Sequence, residues 1–154
     1  MAHRRSKKVG FVVAEVPHRK QRYDTVGDWI PGTPVRIRVS AMDDKRYAFL
    51  VALHEILEYE LCVMRGITDA QVVKFDKEFE AERAAGIHPQ DAEPGEDIRA
   101  PYKNEHAFAT MIERRVAEEL GVKWSDYESA ICNISGKRAM AVSALVDDGA
   151  NPSR

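Results

Sequence analysis

In Thr33–Ser40, Val35, Ile37 and Val39 alternate with Arg36 and Arg38. A period of two is the signature of a strand with one dry face and one wet face. Val9–Val16 is also rich in β-branched residues and stops at Pro17, and Pro31-Gly32 punctuates the chain before the alternating segment begins. Such Pro and Gly positions mark turns. Together these segments predict a small antiparallel sheet of two or three strands at the N-terminus.

After Ser40 the apolar spacing lengthens to a helical one. Ser40 or Asp43 is placed to cap a helix over about 42–64, with Gly66 as its C-terminal stop. At about 100° per residue, Phe49, Leu50, Val51, Leu53, Ile56 and Leu57 spread around nearly the whole circumference. A helix apolar on all sides is expected to be central and buried. Thr68 or Asp69 caps a second helix to about Ala85, with Val72, Phe75 and Phe79 as its core stripe and Gly86 as its stop. Pro101 suits the first turn of a third helix reaching Leu120, with Gly121 after it. Phe108, Met111, Ile112, Val116 and Leu120 mark its expected buried side. Ser125 caps a short last helix through Cys132. The pattern predicts an α+β fold, a small N-terminal antiparallel sheet packed on three to four helices with the 42–64 helix at its centre.

A chain of 154 residues, 44% apolar and 31% charged, fits one globular domain with a real core. The expected domain is 9–134, between a basic tail at 1–8 and a flexible C-terminal tail at 135–154. No stretch is long and uncharged enough to span a bilayer, and no leader pattern is read at the N-terminus. Cys62 and Cys132 read as reduced core thiols in a cytosolic protein. Residues 87–100 form an acidic loop, either a cover over something or an excursion into solvent, with the excursion favoured.

The net charge of −2 hides an asymmetry: residues 1–22 carry a net +6 and the remainder a net −8. A basic arm of this kind can contact a nucleic-acid backbone; it can equally be a solvated tail or fold back on the acidic body.

The chemistry concentrates on the central helix, in His54-Glu55-Ile56-Leu57-Glu58. His54 and Glu58 are four apart and share a face. By angle that face lies between Val51 and Leu61, inside the apolar circumference. Burying an imidazole and a carboxylate is costly unless they are paired or bound to a metal. The third helix brings His106, with Glu105 beside it, and the second brings Asp76 on the side of Val72 and Phe79. His54, Glu58 and His106 make a two-His, one-carboxylate set that suits zinc with an open position, and also iron or manganese. Asp76 or Glu105 is available as an additional ligand or as an acceptor that orients a His. Glu55, about 100° around the helix from His54, is placed as general base toward a water at such a metal. The plainer readings are a buried His54–Glu58 pair closed by Tyr47, Tyr59 or Arg65, an exposed His106, an Asp76 on a solvated edge, and a Glu113 paired at the surface with a neighbouring Arg or Lys.

His54-Glu55-Ile56-Leu57-Glu58 resembles the HExxH helix of zincin metallopeptidases, with Glu58 in place of the second His. The order of small sheet, active-site helix and later ligand resembles minimal zincins as well. The resemblance implies that His54 is a metal ligand, Glu55 the base, and the reaction hydrolysis of a peptide or amide bond, with His106 as the downstream ligand. The wider pattern, with Ala100-Pro101-Tyr102, Glu105-His106, Ile112-Glu113 and Leu120-Gly121-Val122-Lys123-Trp124, also resembles small uncharacterised proteins of phages and prophages. That resemblance implies no particular activity. The alternative from another class is a non-catalytic interaction protein, its His/Glu cluster a structural network or structural metal, with the N-terminal arm binding nucleic acid.

Overall fold

The computed structural model describes residues 10–135. The expected basic tail at 1–8 lies outside the described residues; of the basic stretch 1–22, Arg19 and Lys20 lie in a 3-10 turn and Arg22 pairs with Asp28. The expected tail at 135–154 also lies outside the described residues, apart from Ser135, which closes the last helix.

Three strands form one sheet: β1 (Phe11–Val16), β2 (Gly27–Ile30) and β3 (Val35–Ser40), in the order β1-β3-β2. β3 is central, and its alternation is realised, with Ile37 and Val39 both 0% exposed while Arg36 faces outward. β2 runs antiparallel to β3, Gly27 opposite Val39, but β1 runs parallel to it, Phe11 opposite Val35. The sheet is therefore mixed, not antiparallel as expected. The chain reverses direction twice between β1 and β3, once through the 3-10 turn at His18–Lys20 and once at Pro31–Pro34, and two reversals restore the original direction. The strand formed by Gly27–Ile30 supplies the antiparallel neighbour.

The helices are α1 (Lys45–Met64), α2 (Asp69–Ala84), α3 (Lys103–Glu119) and α4 (Trp124–Ile134), and the α+β class holds. Asp44, rather than Ser40 or Asp43, caps α1, its carboxylate accepting from the Arg46 backbone N–H at 2.9 Å. Ser40 is instead buried at the end of β3, between His18 and Gln21. Thr68 caps α2 in a reciprocal box with Gln71. α4 starts at Trp124, one residue before the expected cap. Gly66 and Gly121 follow α1 and α3 with φ of 74° and 65°, the left-handed conformation a helix stop requires. No helix among the described residues is long and apolar enough to cross a membrane.

Two expectations about burial are corrected. α1 is covered by the sheet on one side and by α3 on another, and its third side stays open, leaving Phe49, Val63 and Met64 exposed. On α3 the expected apolar side is only partly the buried one. Val116 packs half-buried on the core and Ile112 is half-buried, but Phe108 is 43% and Met111 55% exposed, whereas Glu105, Ala109, Glu113 and Ala117 face inward. These four recur every four residues. The two alanines let the α3 backbone lie close to α1, and that closeness brings the two glutamates to partners on other helices.

The loop after α2 is anchored, which overturns the solvated excursion. Arg83, itself buried, donates to the Ala92 carbonyl at 2.7 Å; Lys103 donates to the Glu96 carbonyl at 2.9 Å. His88 stacks on Phe79 with centroids 4.3 Å apart, and Arg99 bridges Glu82 and Asp97.

Because Ile37 is fully enclosed, Ile37→Ala is expected to cost about 2–4 kcal/mol in denaturant unfolding. Val13→Ala, on the exposed face of β1, is expected to stay within about 0.5 kcal/mol of the parent.

Candidate metal centre

α1 and α3 lie antiparallel: Arg46 reaches the carbonyl of Leu120 at one end, and Arg65 pairs with Glu105 at the other. Between these ends the two helices bring His54, Glu58 and His106 together. His54 Nε2 lies 3.1 Å from Glu58 Oε2 and 3.2 Å from His106 Nδ1, and His106 Nδ1 lies 2.8 Å from Glu58 Oε2. The two rings meet edge to face, with centroids 4.8 Å apart. His54 and Glu58 are buried and His106 is half-buried.

The other nitrogen of His54 is also engaged. Nδ1–H donates to Glu113 Oε2 at 2.9 Å, and the second oxygen of Glu113 accepts from the hydroxyl of Tyr127, a fully buried residue of α4. Glu113 thus fixes the proton on Nδ1 and turns Nε2 toward Glu58 and His106. This is the arrangement by which a carboxylate orients a metal-ligating imidazole. Atoms on a zinc at about 2.0–2.1 Å stand about 3.3 Å apart along the edges of a tetrahedron, close to the separations of these three atoms. The donor set fits a divalent ion.

Electrostatics follow from this crowding. Burial alone lowers the pKa of His54, but its hydrogen bonds to Glu113 and Glu58 outweigh that and hold it well above the usual histidine value. Burial raises Glu58, yet the two histidines against it bring it below the usual carboxylate range. Glu55 is pushed well above that range by burial and by the nearby charge of Glu58. Among the described residues the Glu55 side chain has no hydrogen-bond or ion-pair partner. It rests against β2, where a Cβ at Gly27 would stand 2.4 Å from its Oε1.

The remaining expected residues are held elsewhere. Asp76 accepts from the Tyr102 hydroxyl at 2.5 Å, and Glu105 accepts from Arg65 at 2.5 Å. Neither joins the three-residue cluster. Asp76 does line the same cavity, of about 600 Å³, as His54, Glu55, Glu58 and His106; Glu105 does not. Sequence reasoning missed Glu113, read as a surface residue, and Tyr127 on the last helix. It also missed two glycines that make room for the site: Gly27 under Glu55, and Gly95, where a Cβ would stand 2.4 Å from Cγ of the His106 ring. Gly95 sits in the 3-10 turn Pro94–Glu96, so the acidic loop covers His106.

Compared with known protein families, curated proteins and solved structures, the chain shows no match.

Asp76 is surrounded by Tyr102 from the start of α3, Glu58 from α1, Glu80 from its own helix and Asp28 from β2. Burial, with these negative neighbours, raises its pKa to about 7 although the Tyr102 hydrogen bond works the other way. The folded state therefore holds this proton more tightly than the unfolded chain does. Its contribution to stability is complete below about pH 4 and is lost as pH rises toward 7. With chelator present, Asp76→Asn is expected to match the parent near pH 4 and to exceed it by on the order of 3 kcal/mol at pH 8. Denaturant unfolding at the two pH values measures this; a difference independent of pH would show that Asp76 is ionised throughout.

Proposed function

We propose that this chain is a zincin-like metal protein, with His54, Glu58 and His106 holding a divalent ion, zinc first and iron or manganese next, and that it hydrolyses peptide or amide bonds. The observation that carries the reading is the convergence of three ligand atoms within 2.8–3.2 Å of one another, with the far side of His54 fixed on Glu113. With Nδ1 of His54 protonated toward Glu113, Nε2 presents a lone pair to a carboxylate oxygen and to a second imidazole nitrogen. A cation among the three atoms, a metal ion or an added proton, satisfies that set.

When bound there, zinc supplies a Lewis acid that polarises a carbonyl and makes water a better nucleophile near neutral pH. Glu55 lines the same cavity and has no competing partner among the described residues; a cation held by Glu58 would offset the charge that raises Glu55 and leave its carboxylate able to take a proton from the attacking water. The water oxygen bonds to the carbonyl carbon, the C–N bond breaks, and the proton held on Glu55 passes to the departing nitrogen. Glu113 and Tyr127 keep His54 in one tautomer and one orientation, and Gly95 allows the covering loop to seat on His106 without displacing it.

A second reading is favoured by a different observation. Among the described residues, every atom of the His54–Glu58–His106–Glu113 cluster named above has a partner, so one additional proton on His54 satisfies the network without a metal. In that case the cluster is structural and the protein is a non-catalytic binding module.

Elemental analysis separates the two. The metal reading expects about one equivalent of zinc, iron or manganese in protein purified without a tag, lost in His54→Ala, Glu58→Gln and His106→Ala. Glu113→Gln is expected to retain the fold and weaken metal affinity by about 10–100-fold. Glu55→Gln is expected to keep the metal and lose amide hydrolysis. Protein that takes up no metal from added zinc, iron or manganese leaves the structural network as the function of the cluster.

A further inference from the structure

The cavity around the cluster is unusually one-sided in charge. Eleven carboxylates line it against a single Lys/Arg side chain, Arg114. Arg114 is committed at the rim, stacked 4.5 Å over the Trp124 ring and 3.6 Å from Glu128. Several of the acids are neutralised by the fold itself. Asp28 takes a two-point contact from Arg22 at 2.5 and 2.7 Å, and Glu80 pairs with Arg83. Asp91 and Glu96 on the covering loop have no ion-pair partner for their side chains among the described residues. Asp91 and Glu96 are exposed at the mouth, on the same loop that seats Gly95 against His106.

A concave wall of one sign concentrates oppositely charged ligands and repels like-charged ones. A divalent ion in the cluster offsets only two of these charges, so the approach to it stays negative. The apolar part of the wall, with Val51, Val72, Trp29 and Tyr102, offers a surface for a methylene stem. We infer that the substrate of this site carries a basic side chain, a lysine or arginine residue, beside the bond presented to the metal, and that Asp91 and Glu96 select for it at the mouth. This deepens the metal reading above and rests on it.

The test uses cobalt-loaded full-length protein, whose visible absorption reports on the metal's surroundings, titrated with the hydroxamates of lysine, norleucine and glutamate. These share a metal-binding head and differ in side-chain charge. The expected order of affinity is lysine, then norleucine, then glutamate, with at least about a tenfold gap between the extremes at low salt that shrinks at high salt. In Asp91→Asn/Glu96→Gln, both positions being exposed, the cobalt spectrum of the free protein is expected to be unchanged and the gap to narrow. Equal affinities, or tighter binding of the glutamate compound, overturn the substrate assignment while leaving the metal reading standing. An unchanged gap in the double variant removes Asp91 and Glu96 as its source. Protein that shows no cobalt spectrum overturns the metal reading, and this inference with it.

Discussion

One imidazole ring joins three helices of this fold. His54 of α1 is buried with a carboxylate at each nitrogen: Glu58 from its own helix, and Glu113 from α3, which is tied in turn to Tyr127 of α4. A ring in that position cannot be left half-satisfied, because an unpartnered buried polar group costs more than a hydrogen bond returns. The requirement dictates the rest. α3 must present Glu113 inward, so Phe108 and Met111 turn outward. α3 must come close, so alanine occupies the positions between its inward glutamates. α4 must deliver a hydroxyl to the far oxygen of Glu113, so Tyr127 is fully enclosed at the contact.

The local elements were readable because their signals are local. The alternation in Thr33–Ser40, the glycine stops after three helices and the cap at Thr68 each reside within a few residues, and each is present in the fold. The direction of β1 was not readable, since it depends on how many reversals separate it from β3. The burial of α3 misled for a related reason. Its apolar residues form an amphipathic stripe, and hydrophobicity alone makes that stripe the inner face. The inner face only overlaps that stripe: Val116 keeps a place against the core, while a four-residue repeat of Glu and Ala serves close packing and paired charges.

For the candidate site, the pairing of His54 with Glu58 was legible from spacing and from the cost of burial, and His106 from its place at the start of an apolar helix. Glu113 carried a signal that was available: it is aligned with His106 on the wheel and lies eight residues after Glu105, two helical repeats of four along one face. What hid it was the ordinary expectation that a glutamate on a charged helix is solvated. Tyr127 and the two glycines carry no such signal. Their roles come from what the fold lays beside them, the oxygen of Glu113, the carboxylate of Glu55 and the ring of His106.

The distances along the chain give the cluster a history. His54 and Glu58 are four residues apart and meet as soon as α1 forms, whereas His106 is 52 residues from His54 and Glu113 is 59. Closing segments of that length must be achieved before such contacts return anything. An isolated α1 therefore carries half of the cluster, with a histidine and a carboxylate facing solvent on an otherwise greasy helix. The other half arrives only when α2 and the acidic loop have carried the chain back, so assembly of the cluster and completion of the fold are a single event.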